Sequence, residues 1–295
     1  MSTLKSACVP VMLLVIALAS VPRAATRPPG AVWDSVARVL QSPDVFNGGY
    51  HRFNLPRRDL GLEIGGVKLA PELALGAWAG FSDDPGDAMM MGDLVLTTRE
   101  LRPVLAELAR QGLDVTAIHN HLAGEEPRLV YVHIHGHGEA TALAKRLDRV
   151  VALTATPRPV TAVAAAPVAI DTALVFRGLG HSGKAHGAVA QLSFMLVPGA
   201  VTMRGATVTP ALGYASPVNL QAVGPGRAVA TGDFAITGDK VEGMLRVLAE
   251  HGITATALHT HMIGESPTIY FIHFWADGPL DDVAKGLRAA VDAAR

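Results

Sequence analysis

The chain has almost no sulfur to offer and little charge. It holds a single cysteine, Cys8, among 295 residues. A disulfide framework is therefore excluded, and any metal site must draw on nitrogen and oxygen donors. Charged residues make up only 17%, with 25 basic against 26 acidic side chains. That balance offers no electrostatic reason to expect nucleic acid, whose backbone is gripped by clustered Lys and Arg. No apolar run reaches the roughly 20 residues a membrane-spanning helix needs. There is no GxSxG elbow, no HExxH pair, no P-loop and no GxGxxG after a first strand. Four glycines within residues 178–187 surround Lys184, but no Ser or Thr follows that lysine, so the patch reads as a loop. What is plentiful is apolar material, 49%, and histidine, 12 residues. The first supplies a core and argues against disorder as the main state.

The N-terminus reads as an export signal. Lys5 precedes eleven apolar residues, 9–19, followed by Ser20 and the small pair Ala24 and Ala25. Such a run is of signal-peptide length and too short to span a bilayer. Residues 1–25 are expected to be removed, leaving a cysteine-free protein in the periplasm or outside the cell. Cys8 precedes the apolar run, whereas a lipidated cysteine would follow it.

The remainder is one module written twice. GDLVLTTRELRPVLAELARQGLDVTAIHNHLAGEEPRLVYVH begins at Gly92, and GDFAITGDKVEGMLRVLAEHGITATALHTHMIGESPTIYFIH begins at Gly232, an offset of 140 without a gap. Upstream the offset is 139, pairing Gly48 with Gly187 and Pro71 with Pro210. The layout is a first module over residues 30–156, a Pro/Ala-rich linker over 157–167 and a second module over 168–295. Leu101, Val104, Leu105 and Leu108 recur at i, i+3, i+4 and i+7, as do Val241, Met244, Leu245 and Leu248, so each copy carries an amphipathic helix. Thr97 with Glu100 makes a capping box at its start, and Gly112 or Gly252 marks its stop. Two β-rich runs follow in each copy, 114–122 and 129–135, then 254–262 and 268–275, with AGEEP or IGESP between them as in a hairpin. A second helical pattern closes each copy, and residues 51–55, 60–69 and 93–96 read as further strands. The fold class is α+β: two tandem homologous modules, each a mostly antiparallel sheet with amphipathic helices on one face, built on a β-α-β-β-α core of ferredoxin-like type. The run Met89–Met91 could recruit a soft metal, but reads better as a strand entering the core.

Along a strand, residues two apart share a face. His119 and His121 therefore project together, as do His133 and His135, while Ile118, Val132 and Ile134 line the opposite side. A hairpin centred near Pro127 would set His119 opposite His135 and His121 opposite His133, close enough for imidazoles to converge on one ion. The same construction in the second copy sets His261 opposite His273 and His259 opposite Trp275. Glu125 and Glu265, in the hairpin loops, could add a carboxylate ligand or a general base. Asp93 and Asp233, each preceded by Gly, read as turn residues or as partners that orient a histidine.

The motifs HNHLAGEEPRLVYVHIHGHG and HTHMIGESPTIYFIHFWADG, with LALGAWAGF and the two Gly-Asp strand starts, resemble the LppY/LpqO family of exported bacterial proteins. The likeness runs over essentially the whole chain after the signal. It implies bacterial export and a duplicated domain of unknown function, and it implies no reaction. Members are described as lipoprotein candidates, a feature that the position of Cys8 does not match. The functional expectation rests on the histidines. It is an exported metal-binding protein using His119, His121, His133, His135, His259, His261, His273 and Glu265, with zinc first and copper, iron or manganese as alternatives. Glu125 would act as base if the metal activates water for hydrolysis of a small-molecule substrate. Two rival readings are a non-catalytic module that binds metal or a small ligand, and a metal-free, pH-responsive histidine surface. Whether the two copies make separate sites or one shared cleft is left open by the sequence.

Overall fold

The computed structural model describes residues 30–161 and 169–295. The expected signal peptide and most of the expected linker lie outside these residues. The first module runs α1 (Ala31–Leu40), β1 (Asp44–Asn47), β2 (Tyr50–Asn54), β3 (Leu62–Ile64), β4 (Val67–Leu69), α2 (Pro71–Ala74) and β5 (Trp78–Ser82). It continues with β6 (Ala88–Thr97), α3 (Thr98–Gln111), β7 (Asp114–His119), β8 (Glu125–Glu126), β9 (Leu129–Gly138) and α4 (Ala140–Val151). The second module opens with α5 (Thr172–Leu179), β10 (Lys184–His186), β11 (Val189–Phe194), β12 (Val201–Met203), β13 (Ala206–Val208), α6 (Pro210–Gly213) and β14 (Ser216–Gly224). It ends with β15 (Arg227–Thr237), α7 (Val241–Glu250), β16 (Thr254–His259), β17 (Glu265–Ser266), β18 (Ile269–Pro279) and α8 (Leu280–Ala294).

Each module carries a six-stranded antiparallel sheet, ordered β1-β2-β5-β6-β9-β7 in the first and β10-β11-β14-β15-β18-β16 in the second. In both, a helix links two strands that have a third inserted between them, as α3 links β6 and β7 around β9, which is the split β-α-β of a ferredoxin-like core. A three-stranded sheet, β4-β3-β8 or β13-β12-β17, ties the hairpin loop to the front of each module. The expected architecture of two similar α+β halves is what the chain adopts.

The helices form for the reasons their sequences give. The stripe of α3 buries Val104 and Leu108 completely. Its capping box is in place, with the Thr97 backbone N–H donating to Glu100 Oε2 at 2.8 Å, and Gly112 ends it at φ 65°. Buried Arg57 donates to the same carboxylate, at 2.8 Å, fixing the loop after β2 against the helix start.

One face of each sheet carries these helices. In the first module Val132 and Ile134 point into that core, and in the second Ile272 and Phe274 do so. The opposite faces meet each other. Tyr50, Met89 and Met91 of the first module pack with Met203, Leu212, Met262 and Phe271 of the second in a third core. Strand β6 is thus covered on both sides, which explains why AMMMGDLVL is nearly continuously apolar and why Met89–Met91 are core residues. Side-chain amides of the second module clamp backbone of the first. Gln221 accepts from Ala70 N at 2.8 Å and donates to Lys68 O at 2.9 Å, Asn219 donates to Leu73 O at 2.9 Å, and Gln191 donates to Glu72 O at 2.8 Å.

Candidate metal centre at the module joint

The histidines lie on the faces that meet. Strand β9 pairs with β6 so that His133 stands opposite Asp93, and β18 pairs with β15 so that His273 stands opposite Asp233. Neither aspartate is a turn residue. Each sits in mid-strand, 8% exposed, beside a histidine on the neighbouring strand. The glycine before each has a steric reason: a Cβ at Gly92 would stand 2.5 Å from Trp78 O, and one at Gly232 2.1 Å from Pro217 O. Glycine lets the neighbouring strand approach that closely.

The hairpin register differs from the one expected. His119 faces Tyr131 and Ala117 faces His133, with a bulge between Val115 and Ala117. In the second module His259 faces Phe271, with the bulge between Ala255 and Ala257. The reason lies in the loop, because Glu125 and Glu126 pair with β3 rather than turning tightly about Pro127. Strand β7 ends at His119, and β16 at His259, so His121 and His261 lie just past the strand ends. Ile118, expected on the side opposite the histidines with Val132 and Ile134, is not buried with them but 51% exposed on the edge strand.

Across the joint the imidazoles interleave. His119 stacks on His259 with centroids 4.1 Å apart, His133 on His261 at 3.7 Å, and His121 lies against His273 at 3.8 Å. The donor atoms of His119, His259, His261 and His273 all lie within 4.8 Å of one another, as do those of Asp93, His119 and His133 and those of His121, Asp233 and His273. His273 donates from Nδ1 to Asp233 Oδ1 at 2.6 Å, which leaves its Nε2 as an acceptor, 3.4 Å from His259 Nε2. Two nitrogens bound to one tetrahedral zinc at ~2.05 Å stand about 3.3 Å apart. Four buried imidazole nitrogens of this cluster, His119 Nε2, His133 Nε2, His259 Nδ1 and His261 Nε2, together with Asp93 Oδ1, have no hydrogen-bond partner among the described residues.

Burial sets the charge state. Removal from water pushes His119, His133, His259, His261 and His273 down, His259 to about 4. They are therefore neutral, the form that ligates metal. His121 moves up, because Asp233 and Asp93 outweigh its burial. Burial alone would raise Asp93, but the histidines around it, His133 first, pull it down to about 2. Asp233 is raised by burial.

The remaining expected residues stand apart from this cluster. His135 lies farther along β9, 3.5 Å from Asp114. Glu125 is buried but accepts from Leu129 N and from Arg128, each at 3.2 Å, and Glu265 accepts from Ile269 N at 3.2 Å. Both glutamates close their own loops. The residues that the sequence reading underrated are Asp93 and Asp233, and a signal for them existed: an acid repeated at offset 140 inside an otherwise apolar strand needs a polar partner. Beside the cluster opens a cleft of about 710 Å³, lined from both modules by Arg52, Trp78, Asp93, His121, His133, Asp233 and His261.

Fold and site together define a two-module α+β protein with a histidine–carboxylate cluster at its joint. The chain belongs to the family described as Domain of Unknown Function (DUF1259), whose model matches it twice, over residues 34–153 and 173–293. No curated protein matches it. Among solved structures it is similar to the double ringed trimeric shell protein MSM0271 from the RMM microcompartment, at 12% identity over 71% of this chain and 83% of that one. The TM-score is 0.19, and the likeness carries no argument.

Proposed function

We propose that this is an exported metal-binding protein whose two modules build one shared centre for a divalent transition metal. The observation that carries the reading is the group of four histidines whose donor atoms lie within 4.8 Å of one another, His119 Nε2 and His261 Nε2 among them buried and without a hydrogen-bond partner. A buried polar atom without a partner costs ~1–3 kcal/mol, and a cation bound by this group would give one to His119 Nε2 and His261 Nε2. His119, His259, His261 and His273 are the ligands, and Asp233 holds His273 in the tautomer that offers Nε2. Zinc suits an all-nitrogen set, with copper, iron or manganese as alternatives. Export is supported by the N-terminal signal pattern and by the resemblance of the two hairpins to the LppY/LpqO proteins.

Four imidazoles would fill a tetrahedral shell, as in a held or carried metal, and of the four only His261 borders the cleft, so turnover requires one of them to leave a coordination position to water. With metal bound, the chemistry supplied would be activation of water for hydrolysis, and Asp93, at the cleft wall, is the carboxylate best placed to take the proton. A pH-sensing surface is disfavoured by the same burial that keeps the rings neutral near pH 7.

Metal analysis of the protein from residue 26, purified without chelator or His-tag, tests the reading. About one equivalent of transition metal is expected, lost in a His259→Ala/His273→Ala double variant and retained in His135→Ala and Glu125→Gln. Failure to take up metal even after incubation with zinc and copper salts would overturn it.

A further inference from the structure

The duplication makes the metal cluster nearly symmetric, yet the cleft beside it is not. At the 139-residue offset, Arg52 of β2 corresponds to Gln191, Trp78 to Pro217 and Tyr50 to Val189. Gln191 and Asn219 are engaged in holding the modules together through Glu72 O and Leu73 O. Arg52 has a different situation. Its guanidinium lies over the Trp78 ring, 4.2 Å from the centroid, and its Nε donates to Asn54 Oδ1 at 2.9 Å. Tyr50 beside it and Asp93 across the cleft wall are the acidic groups that its charge meets, and among the described residues neither makes a close ion pair with it. The ring beneath and the amide beside it fix the plane of the fork, the preorganisation that makes arginine a recogniser of oxyanions.

The charge balance of the cleft agrees. Its acidic and basic lining besides the histidines and tyrosines is Arg52, Lys184, Glu72, Asp93 and Asp233. Glu72 is opposed by Arg58 at 3.7 Å. With a divalent ion held by the cluster, as proposed above, the charges of Asp93 and Asp233 are balanced. Arg52 and Lys184 are then left as uncompensated positive charge in a cavity of about 710 Å³, the size of a small-ligand pocket. The partly exposed ring of Trp78 suits the body of such a ligand.

We propose that the cleft binds a small organic oxyanion, a carboxylate or a phosphate, with its charged group held by the Arg52 guanidinium and its body lying toward the metal cluster. The assignment rests on the metal-binding reading for the charge balance but not for the position of Arg52.

Calorimetric titration of the full mature protein tests it, using phenylphosphonate and benzoate as probes and benzyltrimethylammonium as the cationic control. Metal is counted in the same samples, and each titration is repeated after chelation. At least one anion should bind the metal-loaded protein and the cation should not. Arg52→Gln, which installs the residue of the other repeat, should weaken that binding at least tenfold, and Arg52→Lys less, with metal content and melting temperature unchanged in both. Binding equally tight in Arg52→Gln, or failure of both anions to bind protein that carries its metal, overturns the proposal. Arg52-dependent anion binding by a protein that never takes up metal would sink the metal reading and leave this one standing.

Discussion

At the scale of the residue, the decisive property is the protonation state of rings that water cannot reach. Unfolded histidines titrate near about 6.5, whereas burial holds most of the cluster below that, His259 at about 4. A folded state with depressed histidine pKa values binds fewer protons than the unfolded chain. The stability this contributes is therefore complete above about pH 6.5 and is lost as pH falls toward the folded values. In chelator, the urea midpoint should decline from pH 7 to pH 5, and a His259→Gln variant should decline less steeply. With zinc present the decline should steepen, because protons compete with metal for the same nitrogens. A pH-independent midpoint in chelator would show that these rings are already hydrated. That the paired histidines of each hairpin point to one side was legible from the spacing of two. That Asp93 and Asp233 stand beside them was legible only as one of two readings, because a Gly-Asp pair also reads locally as a turn and sheet pairing is what shows it to be mid-strand.

At the scale of the element, strands β6 and β15 are what place the carboxylates, and the glycine before each sets how close the next strand comes. Gly92→Ala would put a Cβ 2.5 Å from the Trp78 carbonyl, too close for backbone that cannot swing away. It should cost about 1–3 kcal/mol and reduce metal occupancy by displacing Asp93. Gly243→Ala in α7 meets nothing within 4 Å, so it should leave metal content intact and stabilise by about 0.5–1 kcal/mol. Denaturant unfolding with metal analysis on both variants checks the pair, and a Gly92→Ala protein as stable and as metal-rich as wild type would contradict it. The helices were legible to their caps, since α3 starts at its capping box and ends at Gly112 as its local sequence dictates. The hairpins were legible in existence but not in register. The bulges at Val115/Ala117 and Ala255/Ala257, and the pairing of Glu125 with Ile64 in β3, come from contacts distant in sequence, and register decides which side chains oppose each other.

At the scale of the molecule, duplication yields a site that neither copy holds alone. The four-imidazole group takes His119 from the first module and His259, His261 and His273 from the second. Two copies of one sheet, packed with their helix-free faces together, bring each histidine pair against its repeat, an arrangement that periodicity within either copy cannot reveal. If the cluster holds metal as proposed, its affinity depends on how firmly the modules are joined. Gln221 supplies both a donor and an acceptor to the backbone of the first module, and Asn219 adds another donor. Replacing both with Ala removes three hydrogen bonds whose residues are remote in sequence from every proposed ligand, at a net cost of roughly 1 kcal/mol each. A ligand that binds only the folded, joined state stabilises it by ~2.7 kcal/mol at a hundredfold excess over its dissociation constant. Zinc should accordingly raise the melting temperature of the wild-type protein in a single transition. In Asn219→Ala/Gln221→Ala the zinc-induced rise should shrink, although every ligand is still present. An undiminished rise in the double variant would mean that the centre is assembled within one module, and that the joint merely covers it.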